Sequence, residues 1–110
     1  MEVHAFLFIV EGKTDKRRLL QFLPPSTNIL VTNGYVDEER LLDLLEPYEE
    51  YEFVTLFDAD ANGDFYRQLM NRIYPEAVQI QIPLKYKEVA ETPVSVLQKL
   101  ISESIKKVSF

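Results

Sequence analysis

Apolar residues in this chain come in short blocks divided by amphipathic stretches. Ala5 to Val10 is a continuous apolar run, and Glu52-Phe53-Val54-Thr55-Leu56-Phe57 is another. Runs of this length rich in Phe, Ile and Val predict strands buried on both faces, as in a parallel sheet. Ile29-Leu30-Val31, within Asn28 to Thr32, predicts a third strand. Val78-Gln79-Ile80-Gln81-Ile82, within Ala77 to Ile82, alternates and predicts an edge strand with one wetter face.

Helical spacing fills the intervals. Leu19, Leu20 and Leu23 predict an inward face for a helix capped by Thr14, with Asp15 in its first turn and Pro24-Pro25 as its stop. Leu41, Leu42, Leu44 and Leu45 follow Asp37 as cap and end at Pro47. Phe65, Leu69, Met70 and Ile73 predict a helix from about Asp64 to Tyr74, closed by Pro75. Thr92-Pro93 predicts a helix start, Val96, Leu97, Leu100, Ile101 and Ile105 its buried face, and Lys106-Lys107 a basic C-terminal end. Asn33-Gly34 is a hairpin signal, but a helix follows it, so it reads as a strand-to-helix loop. Leu84 to Glu91 reads as an irregular, charged loop.

The order is thus β-α four times, which predicts a mainly parallel four-stranded sheet with helices on both faces. Sites in such sheets lie at the carboxyl ends of the strands. Glu11, Asn33, Asp58 and Asp60 all fall there, on one rim.

Composition narrows the class. The 110 residues are 46% hydrophobic and 27% charged, as expected of one folded domain spanning 1–110. No apolar run approaches the roughly 18 residues of a membrane helix, and the first residues lack the basic stretch of a signal peptide. Cysteine is absent, so neither disulfides nor thiolate metal sites arise. A cytoplasmic protein with no membrane association is the expectation. The net charge of −6 argues against non-specific coating of nucleic acid while leaving room for a local basic patch.

If the first and third strands are neighbours, Glu11, Asp58 and Asp60 converge. Two bare carboxylates about 4 Å apart repel by about 4 kcal/mol at an effective dielectric near 20. A cation or protonation must relieve them. All-oxygen donors select hard ions such as Mg²⁺ or Mn²⁺. Asp58 and Asp60 would bind the ion, leaving Glu11 for proton transfer or a second ion, and the matching substrate is a phosphodiester or phosphoryl group. For either loop alone the simpler reading is a solvated turn or strand ending. Two such loops, each directly after an apolar strand, favour the site.

Two lookalikes fail. Asp58-Ala59-Asp60-Ala61-Asn62-Gly63 starts like a calcium-binding EF-hand loop, but the glutamate that loop requires falls at Leu69. Gly12-Lys13-Thr14 ends like a phosphate-binding Walker A loop, but its first glycine falls at Leu7.

Lys13, Lys16, Arg17 and Arg18, with Arg67 joining from the third helix, form a basic strip beside the acidic centre, suited to a phosphate backbone. The plainer reading is a solvated helix face. Tyr35 and Tyr66 near the rim are candidates for stacking on bases, although packed aromatics are commoner. Glu88 and Glu91 are further acids within reach of the rim, and solvation is the plainer account of them. His4, the sole histidine, lies before the first strand, at its far end, and carries no assigned role.

Phe8-Ile9-Val10-Glu11-Gly12-Lys13-Thr14-Asp15 resembles the hydrophobic strand and EGxxD motif of Toprim domains, and Phe57-Asp58-Ala59-Asp60-Ala61-Asn62-Gly63 resembles their strand and DxDxxG motif. Asn33-Gly34 sits where the family often has a glycine-containing turn. The match spans roughly residues 3 to 82. Toprim is the catalytic module of type IA and type II topoisomerases, bacterial-type primases, OLD-family nucleases and ribosomal-RNA-maturing nucleases. The resemblance implies a three-layer α/β/α, Rossmann-like fold. It implies that Glu11 is a general acid or base, that Asp58 and Asp60 bind Mg²⁺, that Gly12 and Gly63 shape the turns, and that Asp15 supports the first loop. The chain looks most like the small stand-alone bacterial Toprim proteins, since it shows no topoisomerase tyrosine domain, zinc region or ATPase.

The leading expectation is a Mg²⁺-dependent nuclease or processing factor acting on RNA or DNA. The alternatives are a catalytically silent nucleic-acid-binding or adaptor module and, more remotely, a small-molecule phosphoryl transferase.

Overall fold

The computed structural model describes residues 5–105. His4 and Lys106-Lys107 lie outside them. The apolar blocks form β1 (Phe6–Val10), β2 (Asn28–Val31), β3 (Glu52–Phe57) and β4 (Val78–Gln81). Between and after them run α1 (Lys13–Leu19), α2 (Glu38–Leu45), α3 (Ala61–Ile73) and α4 (Val94–Ser104). The sheet order is β2-β1-β3-β4, and every pairing is parallel. Phe8 pairs with Ile29 on one side and Val54 on the other, and Val54 pairs with Val78. This register brings the carboxyl ends of the strands to one rim. The alternating β4 is an edge strand, as its pattern predicts.

Side chains alternate across a strand, so the unbroken apolar runs supply two cores. Phe6, Phe8 and Val10 face one side with Val54, Leu56 and Ile80, covered by Leu19 of α1 and by Leu97 and Ile101 of α4. Leu7 and Ile9 face the other with Phe53 and Phe57, covered by Leu41 and Leu45 of α2 and by Tyr66, Leu69 and Met70 of α3. The result is three layers, α/β/α. Among the described residues no helix is long and apolar enough to cross a membrane.

Several boundaries differ from the sequence pattern. The cap of α1 is Gly12 rather than Thr14, and the Asp15 carboxylate reaches back to accept the Gly12 N–H at 3.0 Å. That helix ends at Leu19 in a run of turns, well before Pro24, and Leu20 points outward. Leu42 is likewise exposed, since Leu41 and Leu45 one turn apart already define the buried stripe of α2. Asp37 does cap α2, accepting from the Arg40 N–H. Helix α3 begins three residues earlier than expected because Asp60 caps it, accepting the Gly63 N–H at 2.8 Å. Thr92 does not cap α4; its hydroxyl donates instead to the Glu88 carbonyl.

Candidate metal centre

The two acidic loops leave adjacent strands and are tied together through a side chain. Glu11 follows β1 and Asp58 follows β3. The Asp58 N–H donates to Glu11 Oε2 at 2.7 Å, and the Asn62 side-chain amide donates to Glu11 Oε1 at 2.6 Å. One carboxylate thus spans the start of the Asp58 loop and the first turn of α3.

The Asp58 loop is fixed from three sides. Its carboxylate Oδ1 accepts the Val89 N–H at 2.8 Å. Its backbone carbonyl accepts from the Arg67 guanidinium at 3.0 Å, which also reaches the Phe57 carbonyl at 3.3 Å. The Ala59 N–H donates to the Lys87 carbonyl. Gly63 is buried against this loop, where a Cβ would lie 1.8 Å from the Asp58 carbonyl oxygen. No side chain fits there, which explains the glycine.

The loop after β2 closes the rim. Asn33 and Gly34 both take left-handed backbone, with φ of 58° and 89°, a conformation that Asn and Gly adopt most readily. The Asn33 N–H donates to the Glu11 carbonyl. The Tyr66 hydroxyl donates to the Gly34 carbonyl and accepts the Val36 N–H. Tyr66 is fully buried, so it is a strut of this loop and not a surface for bases. Tyr35 is 70% exposed and packs its ring on Phe65.

A cavity of roughly 530 Å³ lies among these loops, lined by Glu11, Asp15, Asp58, Asp60, Glu88 and Glu91 together with Gly12, Gly34 and Asn62. Its acids crowd one another. Asp15 is pushed up to about 6, first by burial and then by the Asp58 charge. Glu11 is raised by burial against the opposing pull of the Asp58 N–H and Asn62, with Asp58 and Asp60 adding repulsion. Asp58 is raised by burial, by Asp60 and by Glu88, while the Val89 N–H and Arg67 oppose the shift. Clustered carboxylates of this kind are relieved by a cation.

The donors fit a hard ion. Among the described residues no histidine or cysteine lines the cavity. Asp58 and Asp60 each commit Oδ1 to a backbone N–H, leaving Oδ2 outside these bonds. Among the described residues no three acidic, His or Cys side chains group closely enough to hold one ion. The oxygens left outside those bonds on Asp58 and Asp60 are the ones that could serve a hard ion such as Mg²⁺, which takes one or two carboxylates and completes its shell with water.

The structure divides the basic strip. Lys13 and Arg17 are exposed and Lys16 is half-buried. Arg18 turns away, donating twice to the Thr92 carbonyl. Arg67 turns into the fold onto the Phe57 and Asp58 carbonyls and pairs with Asp64. Sequence reasoning missed Asn62 as the partner of Glu11 and Val89 as the partner of Asp58. Asn62 stood inside a motif already noted; the Val89 backbone N–H leaves no trace in a sequence.

None of the known family models matches the chain. Among solved structures, the small Toprim domain protein from Bacillus stearothermophilus superposes with a TM-score of 0.84 and is 33% identical. The match covers 94% of this chain and 86% of that one. The chain belongs to the Toprim family. A second relative of this Toprim chain is the uncharacterized protein YusF of Bacillus subtilis (strain 168), 34% identical over 87 residues. Those residues are 79% of this Toprim chain and 60% of YusF, so the chain spans well under the full length of that relative.

Proposed function

We propose that this Toprim chain acts on nucleic-acid phosphodiesters with Mg²⁺ as cofactor (Mn²⁺ serving in its place), as a nuclease on structured RNA or DNA. The observation that carries the reading is the Glu11 bridge to Asp58 and Asn62, because it holds three acids from two loops around one open cavity. Asp58 and Asp60 would hold the ion through the oxygens not used in their backbone bonds. When bound, Mg²⁺ offsets phosphate charge and lowers the pKa of bound water. Glu11, raised by burial, would hold or release a proton at the reacting oxygen. Asp15 supports Glu11 indirectly by fixing the Gly12 N–H. Lys13, Lys16 and Arg17 would guide the phosphate backbone along α1.

One observation favours a second reading, a metal- and nucleic-acid-binding module without turnover. Both Glu11 oxygens are engaged in internal bonds, which suits a structural link as well as a proton carrier. Cleavage assays on mixed RNA and DNA substrates with Mg²⁺ separate the two. Nuclease action predicts cleavage by the natural chain and its loss in Glu11→Gln and Asp58→Asn. Equal cleavage by all three would remove these residues from the site, and binding without cleavage under any divalent ion would establish the module.

A further inference from the structure

A second cavity, of roughly 500 Å³, lies between the connection that follows β4 and the exposed face of α4. It is lined by Pro83, Tyr86, Val96 and Leu100 and by the charged Lys85, Lys99 and Glu103. We infer that this groove is a subsite for one nucleotide of a single strand, with the base against Tyr86 and the flanking phosphates on Lys85 and Lys99. The inference rests on the phosphodiester reading of the acidic site and extends it.

Three features carry it. The wall is an aromatic ring with an ammonium over it: Lys85 Nζ lies 5.1 Å from the Tyr86 ring centroid, a contact that a base on this ring would replace. Stacking platforms flanked by cations are how proteins hold single strands without reading sequence. The second cation, Lys99, pairs among the described residues with Glu103 at 4.0 Å, with both side chains mostly exposed. Such a pair is weak and readily exchanged for a phosphate. The two lysines outnumber the one carboxylate of the groove, Glu103, against the chain's net charge of −6.

The third feature is continuity with the acidic cavity. Pro83 to Tyr86 form a turn, with the Tyr86 N–H donating to the Pro83 carbonyl, and Lys87 follows in left-handed backbone at φ 63°. The Lys87 carbonyl then accepts the Ala59 N–H, and the Val89 N–H holds Asp58. Val89 stands three positions after Tyr86, no more than about 11 Å of extended chain. The connection that fixes the candidate metal loop therefore also presents the groove.

Fluorescence anisotropy with a short fluorescein-labelled single-stranded RNA, and DNA of the same sequence, tests the subsite in Ca²⁺; Mn²⁺ affinity is read separately by electron paramagnetic resonance. Lys99→Glu and Tyr86→Ala should each weaken oligonucleotide binding about tenfold, Tyr86→Phe should bind as the natural chain does, and Mn²⁺ affinity should hold throughout. Tyr86 also packs on the core, so if Tyr86→Ala fails to fold, the exposed Lys85→Glu and Lys99→Glu variants decide. Normal oligonucleotide binding by the variants would overturn the subsite and leave the acidic-site reading intact, pointing to a peptide as the occupant of the groove. Mn²⁺ binding with no oligonucleotide binding by the natural chain would overturn both the subsite and the nucleic-acid reading.

Discussion

The Asp58 N–H donates to Glu11 Oε2 at 2.7 Å across 47 positions of sequence. With Asn62 on the other oxygen, Glu11 binds two loops that local sequence leaves independent. Glu11→Ala leaves the half-buried Asp58 N–H without its acceptor, which costs about 1–3 kcal/mol. Glu11→Gln should cost less, because its carbonyl oxygen can still serve Asp58 while Asn62 turns its own oxygen to the new amide. Urea unfolding of the metal-free variants measures both. Equal losses would show that the bridge is not what holds the loops.

Gly63 faces the Asp58 carbonyl at a distance no Cβ tolerates. Gly63→Ala should therefore destabilise by about 2 kcal/mol or more, through backbone displacement. Gly34→Ala meets no atom and carries only the strain of φ 89°, about 1 kcal/mol. Thermal melts of the two variants should rank them in that order, and Gly63→Ala alone should weaken Mn²⁺ binding.

Arg67 donates to two backbone carbonyls and pairs with Asp64. Nη1 serves both carbonyls while Nη2 serves Asp64, and a lysine's single nitrogen does not span the carbonyls and the carboxylate in that fork. Arg67→Lys should therefore recover little of the stability lost in Arg67→Ala, on the order of 1–3 kcal/mol. If Arg67→Lys matches the natural chain in unfolding midpoint, the fork geometry has no role.

The acids set a pH dependence of definite sign. Asp15 is raised from 3.8 to about 6 in the folded chain, so folding favours its protonated form. Its stabilising contribution is full below about pH 4 and is lost as pH rises through about 6. Glu11 and Asp58 are raised as well and act in the same direction. Metal-free stability should fall between about pH 4 and 7, the reverse of ordinary acid denaturation. Asp15→Asn keeps an acceptor for the Gly12 N–H and should flatten part of that slope. Added Mg²⁺ should restore stability most at neutral pH, by mass action on a site whose acids are then ionised. Denaturation midpoints against pH, with and without Mg²⁺, give the outcome.

The sequence by itself determined the four strands, the four helices, the edge position of β4 and the carboxylates at the strand ends. Those features come from local periodicity and from the reversal of chain direction at each strand end. It placed helix starts less well: Thr14 and Thr92 have good capping chemistry, yet Gly12 and Pro93 hold those positions, with the Asp15 carboxylate on the Gly12 N–H and the Thr92 hydroxyl on the Glu88 carbonyl. Only the tertiary structure decided that Glu11 meets Asp58 and Asn62, that Val89 holds Asp58, and that Arg18 and Arg67 turn inward while Lys13 and Arg17 stay exposed. These are contacts between residues far apart in sequence, several of them through backbone groups that every residue carries. No pattern of side chains encodes them until strand pairing brings β1 beside β3 and the connection after β4 back over the rim.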